Sequence, residues 1–174
     1  MVDMGNQLNV RVADSGDAES LLELFGILDS ETSFMLLEPG ERSTTVGEQR
    51  NYIRQFADSP HQLMCLAEDG ESITGFLIAN GGGFARNKHT ASIVIGVRQD
   101  VWGKGIGKAL MHFMESWARQ TDIHRLELTV MENNAQAIAF YRKSGFIEEG
   151  VRLDSLKIEG AFVSEIYMRK ILKS

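Results

Sequence analysis

The sequence predicts an α/β (α+β) fold in which a mixed sheet is flanked by helices, and three observations point to it. A chain of 174 residues suits one domain. Its composition, 43% apolar and 24% charged, is that of an ordinary globular protein. Strand-like alternation and helical apolar spacing follow one another in the order β-α-α-β-β-β-α-β-α-β-β. No repeat or linker divides this order, so we expect a single domain over residues 1–174.

Charge and cysteine content narrow the class of protein. The net charge of −6 argues against a surface for nucleic acid or for an anionic membrane. Cys65 is the only cysteine, so no intrachain disulfide can form, and its apolar neighbours predict a core residue. The four histidines lack metal-ligand spacing, and we expect no metal. Without a signal-peptide pattern or a membrane-length apolar run, the expected location is the cytoplasm.

The first part of the chain begins with a strand and a helix. Residues 1–6 are predicted to form a loose terminus, and alternation of apolar residues predicts a strand over residues 7–13. Asp17 or Ser15 is a candidate cap for the helix whose apolar stripe occupies residues 18–28.

The same two periodicities and the turn residues between segments predict the other elements. Residues 29–47 are the least regular stretch, and glycines 81–83 predict a bulge or a flexible turn. The remaining predictions are a helix over residues 45–56, strands over 62–68, 72–80 and 90–97, a helix over 106–121, a strand over 125–130, a helix over 134–144 and two long strands over 146–172.

The most informative stretch joins a buried strand to a helix through a glycine-rich loop. The loop, residues 102–107, reads Trp-Gly-Lys-Gly-Ile-Gly and lies between the strand and a helical pattern that begins near Lys108. Glycines allow positive φ and close backbone approach, and the first turn of a helix has free N–H groups at its positive end. The arrangement predicts a site for a di- or triphosphate. The alternative is a turn that only lets a strand lie close to a helix.

Two common phosphate loops do not fit the spacing. The P-loop requires Gly, four residues and then Gly-Lys-Ser/Thr, but Trp102 replaces the first glycine and Ala109 replaces the hydroxyl residue. The dinucleotide fingerprint Gly-x-Gly-x-x-Gly is met by Gly103 and Gly105 but has Lys108 at its third position. A nucleotide-binding module is therefore a weaker alternative.

A third kind of loop and a second motif together resemble one family. Gly105-Ile106-Gly107 fits the second half of the pyrophosphate loop Arg/Gln-x-x-Gly-x-Gly/Ala, with Trp102 where Arg or Gln is usual. Residues 134–146 hold every fixed position of Asn-x-x-Ala-x-x-x-Tyr-x-x-x-Gly-Phe. With these motifs in this order, the chain resembles the GNAT superfamily of acyl-CoA-dependent N-acetyltransferases, most strongly over residues 93–146.

The resemblance implies a GNAT-like, mostly antiparallel sheet, acetyl-CoA as co-substrate and a cofactor site made largely of backbone. The expected pyrophosphate ligands are the backbone N–H groups of Gly103, Gly105, Gly107 and Lys108. Lys104 and Lys108 would add positive charge, unless they are only solvated lysines at a helix start.

In the family, the strand before the loop splays from its neighbour and pairs with the pantetheine arm of coenzyme A. The main chain of Ile95 and Val97 is expected to do so here. Asn134 matches the family residue that bonds this arm, although its side chain would serve equally well as a helix cap. Trp102 is interpreted as a packing anchor.

Tyr141 matches the position at which the family commonly places a general acid. A phenol titrates near 10 and a thiol near 8.5, so Tyr141 could protonate the leaving thiolate, although its helix face also fits a core residue. The base is not identified, because the strand before the loop carries no carboxylate. Glu31, Glu127 and Glu165 remain candidates, and deprotonation through water is the alternative.

The predicted activity is acetyl transfer from acetyl-CoA to a primary amine by direct attack. In the family, the stretch that corresponds to residues 29–47 flanks the acceptor pocket, and an acidic, partly apolar lining suits a cationic amine. The acceptor is expected to be an amino acid, a small amine or polyamine, or a protein N-terminus. A catalytically silent acyl-CoA-binding or regulatory domain is the alternative, and a homodimer is an oligomeric state that the resemblance allows.

Overall fold

In the part of the chain that the computed structural model describes, residues 8–172, seven strands form one sheet and four α-helices flank it. The loose terminus predicted for residues 1–6 lies outside this range. The strands are β1 (Leu8–Val12), β2 (Gln62–Asp69), β3 (Ser72–Gly81), β4 (Thr90–Val97), β5 (Arg125–Met131), β6 (Ile147–Ile158) and β7 (Ala161–Ile171). The helices are α1 (Ala18–Glu31), α2 (Val46–Ala57), α3 (Ile106–Arg119) and α4 (Ala135–Lys143).

The sheet is mixed and mostly antiparallel, as expected. In the strand order β1-β2-β3-β4-β5-β7-β6, only β4 and β5 are parallel neighbours within the described residues. Spatial order follows chain order up to β5, after which β7 lies between β5 and β6. Because β4 and β5 run in the same direction, α3 is needed to cross from one to the other.

Alternation along the strands separates two apolar layers on opposite faces of the sheet. On β2, Leu63, Cys65 and Ala67 contact the layer that includes α3 and α4, which we call the α3/α4 face. Met64 and Leu66 contact the layer that includes α1 and α2, the α1/α2 face. Cys65 has no exposed surface, as predicted, and burial raises the pKa of its thiol to about 12.

The side-chain capping bonds at the start of the first helical segment involve Asp14, which the sequence analysis did not propose. The Asp14 carboxylate accepts from the Gly16 N–H at 2.7 Å, and the Asp17 carboxylate accepts from the Asp14 N–H at 2.8 Å. The two bonds form a reciprocal capping box around one short 3₁₀ turn, from which α1 continues. Of the two predicted caps, Asp17 occupies the N-cap position of α1 but makes no side-chain capping bond to that helix, and Ser15 lies inside the added turn.

Close backbone approach explains the glycines after β3. A Cβ on Gly81 would lie 2.2 Å from the His61 carbonyl oxygen, and one on Gly82 would lie 2.3 Å from the Asn87 carbonyl oxygen. Strand β3 extends through Gly81, so the predicted bulge is a continuation of the strand into a tightly packed turn.

Candidate active site

The two parallel strands diverge beside the glycine loop. Pairing of β4 with β5 ends at Ser92 opposite Glu127, whereas β4 stays paired with β3 as far as Val97. Strand β5 continues to Met131 as a partner of β7. We call the opening between residues 93–97 of β4 and 128–131 of β5 the fork.

Backbone alternation directs part of β4 into the fork. The Arg98 N–H donates to the Thr74 carbonyl at 2.9 Å, and the Thr90 carbonyl accepts from Gly82 at 3.0 Å. Even-numbered residues of β4 therefore direct their polar backbone groups towards β3, and odd-numbered residues direct theirs away from it. Ile95 and Val97, the two predicted main-chain ligands, thus face the fork, where no strand pairs with them.

The glycine loop adopts the open conformation that its composition predicts. Gly103 and Gly105 have φ values of +78° and +81°, and Gly105 is the N-cap of α3. The Ala109 N–H makes the first helical bond, to the Gly105 carbonyl at 3.0 Å. Within the described residues, no acceptor is bonded to the backbone N–H groups of residues 103–108. These free donors at the positive end of a helix fit a pyrophosphate.

Gly107 has a different role from the other two loop glycines. Its φ is not positive, but a Cβ there would lie 3.2 Å from Cζ of Phe140 on α4. The absent side chain lets the first turn of α3 lie against α4. The side chains of Lys104 and Lys108 are exposed, and neither forms an ion pair with another residue of the 8–172 range, so both ammonium groups can meet a phosphate.

Tyr141 lies on the α3/α4 face, in the apolar layer near Phe140 and Phe146. It is 9% exposed, and burial raises the pKa of its phenol to about 12. The phenol is therefore protonated at neutral pH and can act only as a hydrogen-bond or proton donor to an anion. The core interpretation of Tyr141 is confirmed, and its role as a general acid stays a prediction.

Asn134 caps α4. Its side-chain oxygen accepts from the Ala137 N–H at 3.2 Å, so the cap interpretation is confirmed. The interpretation of Trp102 as a packing anchor is wrong: its side chain is 43% exposed, and its indole N–H donates to the Val97 carbonyl at 2.8 Å. That bond ties the loop to the last residue of β4 and uses one of the two lone pairs of the Val97 carbonyl.

The three candidate bases occupy different surroundings. Glu31 accepts from the Gln99 N–H at 2.9 Å and thereby links the end of α1 to the turn before the glycine loop. Glu165 accepts from the Ser155 hydroxyl at 2.8 Å. Glu127 lies at the apex of the fork, with Ser92 across from it.

One charged pair that the sequence analysis missed shapes the stretch between α1 and α2. Arg42 donates two hydrogen bonds to Asp29, at 2.9 and 3.0 Å, and stacks 4.7 Å above the Phe25 ring. Asp29 is only 3% exposed. The sequence held one signal for this pair: Asp29 lies four residues after Phe25, on the apolar face of α1. A carboxylate buried there requires a partner of opposite charge.

A cavity of about 460 Å³ lies elsewhere, among His61, Gly82 and Lys88 at the opposite end of the sheet. None of the predicted site residues lines it. The fork is an open groove between two strands, and it is separate from this cavity.

A sheet that forks beside a helix start with free N–H groups defines a class of proteins that bind a phosphate-bearing cofactor with an extended arm. Residues 27–146 match the model of the Acetyltransferase (GNAT) family. The match covers more than half of the 174 residues, and the protein belongs to that family.

Two curated relatives and one solved structure give the extent of the similarity. The chain is 26% identical to L-amino acid N-acetyltransferase AaaT of Escherichia coli, over 95% of this chain and 99% of the relative. It is 31% identical to streptothricin acetyltransferase of Streptomyces lavendulae, over 90% and 89% of the two chains. An acetyltransferase of the GNAT family from Streptococcus pneumoniae has the same fold, with a TM-score of 0.92, 28% identity and coverage of 95% and 100%.

These comparisons establish an acetyl-CoA-dependent acetyltransferase. Solved structures of the same fold contain acetyl-CoA. Over residues 8–172, no helix combines the length and apolar character needed to cross a membrane. In the same range, no three His, Cys, Asp or Glu side chains are grouped so that they could hold a metal ion.

Proposed function

We propose that the protein acetylates the primary amine of a small molecule, such as a free amino acid, by direct attack of the amine on acetyl-CoA. The observation that carries the proposal is the fork, where unpaired backbone of β4 leads directly into the free N–H groups of the glycine loop. Two relatives of similar length are named for L-amino acids and for streptothricin, which favours a small acceptor.

Backbone groups would hold the cofactor. The N–H groups of Gly103, Gly105, Gly107 and Lys108 would donate to the pyrophosphate, with positive charge from Lys104 and Lys108. Since these donors have no other partner in the described structure, binding would satisfy them without breaking a hydrogen bond.

Two odd-numbered residues of β4 and one helix cap would hold the pantetheine arm. Ile95 offers both backbone groups to the fork, and Val97 offers its N–H and the second lone pair of the carbonyl that accepts from Trp102. Asn134 uses its side-chain oxygen as the cap of α4, so its amide N–H groups remain as donors to the arm.

Tyr141 would donate the proton that the leaving thiolate requires. Its pKa of about 12 lies about 3.5 above that of a free thiol, so transfer to a fully solvated thiolate would be uphill by about 5 kcal/mol. The same apolar surroundings would raise the pKa of a thiol formed beside Tyr141 and narrow this difference.

The acceptor would enter from the α1/α2 face. On the α3/α4 face, the fork is covered by the apolar layer that includes Tyr141. On the other face, Val94 of β4 is 52% exposed and Tyr167 of β7 is 43% exposed. Amine and proton donor would therefore approach the thioester from opposite sides of the sheet, an arrangement in which positioning itself contributes to the rate.

The test is coenzyme A release from acetyl-CoA, followed as free thiol, with panels of amino acids, polyamines, aminoglycosides and short peptides. Turnover with amino acids or other small amines would support the proposal. Turnover restricted to peptides would contradict the small-acceptor part. If no amine is acetylated while acetyl-CoA still raises the melting temperature, the catalytically silent binding domain is the better description.

A further inference from the structure

We propose that Glu127, which β5 contributes to the apex of the fork, binds the ammonium group of the acceptor and receives its proton. The assignment rests on the proposed amine acetylation. It supplies the base that β4 lacks, because the only polar side chain of β4 near the apex is the hydroxyl of Ser92.

Position is the first argument. Ser92 and Glu127 form the last pair between β4 and β5, so Glu127 marks the narrow end of the fork, and the glycine loop lies at the wide end. A cofactor arm that starts at the loop and follows Val97 and Ile95 points its reactive end towards this apex. Ser92 is three residues from Ile95, or about 10 Å of extended strand, a gap that an acceptor amine and a bridging water can span.

Orientation is the second argument. The flanking β5 residues Leu126 and Leu128 lie in the buried α3/α4 layer, so Glu127 points to the α1/α2 face. Its side chain is 40% exposed and is therefore accessible to an acceptor. This is the face from which the acceptor would enter, opposite Tyr141.

Charge is the third argument. Three ionised groups surround Glu127: Arg125 on its own strand, Arg169 opposite it on β7, and Glu149 on β6. Arg125 directs both terminal nitrogens at Glu149, which lowers the pKa of Glu149, and only its Nε reaches Glu127, at 3.1 Å. Among residues 8–172, the other carboxylate oxygen of Glu127 has one hydrogen-bond partner, the Ser92 hydroxyl at 3.4 Å. So long a contact is weak, and an ammonium can displace it.

The other two carboxylates are less available. Glu31 is engaged by the Gln99 N–H. Glu165 is 13% exposed at its side chain and bonded to Ser155 and Arg152, at the β7 position that pairs with Met131 at the wide end of the fork.

The proton balance is complete with the groups named. The ammonium gives one proton to Glu127, which passes it to solvent, and the neutral amine nitrogen then forms a bond to the thioester carbonyl carbon. The C–S bond breaks as the amine nitrogen loses its second proton to Glu127, which again passes it to solvent. Tyr141 protonates the thiolate and regains a proton from the solution.

The experiment compares wild type, Glu127→Gln and Glu148→Gln in the thiol-release assay with an amino-acid acceptor from pH 6 to 9.5. Glu127→Gln should lower kcat/KM for the acceptor by about 10²-fold or more at pH 7, with the deficit shrinking as the acceptor becomes neutral at higher pH. The KM for acetyl-CoA should stay within about threefold of wild type. Glu148 is the matched control, because its carboxylate is about as exposed as that of Glu127 (41% against 40%) but pairs with Arg142 instead of Arg125; Glu148→Gln should leave kcat/KM within about threefold.

A rescue variant distinguishes a chemical role from a structural one. Because Ser92 lies directly opposite Glu127, Ser92→Glu combined with Glu127→Gln returns a carboxylate to the apex and should recover about tenfold or more of the lost rate. Wild-type-like activity of Glu127→Gln, or an equal loss at every pH, would overturn the assignment. If Glu127→Gln does not fold, judged by the acetyl-CoA-induced melting shift, Glu127→Thr decides: a deficit that shrinks as pH rises supports the proposal, and an equal deficit at every pH or an unchanged rate overturns it. A wild type that acetylates no amine would instead refute the proposed function, and this assignment with it.

Discussion

Cutting the ion pair between Asp29 and Arg42 should destabilise the protein by an amount that depends on which partner is removed. Removing one partner of a buried ion pair lowers the free energy of unfolding by about 3–5 kcal/mol, because the other charge stays buried without a partner. Asp29 is 3% exposed, whereas the Arg42 side chain is 23% exposed and belongs to a surface segment. Arg42→Ala leaves the carboxylate buried and should cost about 5 kcal/mol, including about 1 kcal/mol for the lost stacking on Phe25. Asp29→Ala leaves an arginine that can turn into solvent, and should cost about 3 kcal/mol.

Urea denaturation of the two single variants and the double variant measures these free energies, provided that the m-value is unchanged. The double variant should cost less than the sum of the single variants by about 2 kcal/mol, since neither charge is then left alone. Arg98→Ala is the matched control: its pair with Asp100 is also bidentate but exposed, and its loss should cost less than about 1 kcal/mol. If Arg42→Ala costs no more than Arg98→Ala, or less than Asp29→Ala, the burial argument is wrong.

The same pair should influence the acceptor more than the cofactor. Arg42 holds the segment between α1 and α2 against α1, on the face from which the acceptor would enter. Loss of the pair should therefore raise the acceptor KM by about tenfold and leave the KM for acetyl-CoA nearly unchanged.

Three further predictions concern the loop and the proton donor. Tyr141→Phe should lower kcat by about 10²-fold or more if the phenol donates to the thiolate, and an unchanged rate and pH profile would contradict that role. The pKa of Tyr141 is about 12 in the folded protein and about 10 in the unfolded chain, so the neutral phenol contributes its full stability below pH 10. Between pH 10 and 12, the free energy of unfolding of wild type should fall by about 3 kcal/mol relative to that of Tyr141→Phe. A Cβ on Gly105 would meet no atom within 4 Å, but the φ of this residue is +81°, which an alanine adopts only with strain. Gly105→Ala should therefore lower the free energy of unfolding by about 1–2 kcal/mol in denaturation, and titration should show a weaker affinity for acetyl-CoA. Gly107→Val should cost about 1–3 kcal/mol through its contact with Phe140, and a neutral result would show that α4 yields to the added side chain.

Local chemistry explains which parts of the structure were predictable. The glycine loop and the α4 motif were readable because each depends on neighbours within a few residues: glycine where φ is positive, asparagine at a helix cap, helical spacing behind them. The strands and helices were found for the same reason, with ends that differ by a few residues.

Contacts between distant segments account for what was missed. The Asp14 cap was overlooked because α1 is preceded by an extra 3₁₀ turn. The partner of Asp29 is 13 residues away, across an irregular segment with no periodicity. Trp102 is exposed and bonded to the Val97 carbonyl, neither of which composition reveals.

The sequence by itself determined the family, the order of elements and the loop whose backbone can hold a pyrophosphate, because these follow from residue types at fixed local spacing. Only the tertiary structure decided where β4 and β5 part, which backbone groups of β4 remain unpaired, and that Glu127 lies opposite Ser92 at that point. Those features depend on the register between strands that are separated in the chain by the whole of α3. That register is set by the packing of both apolar layers at once.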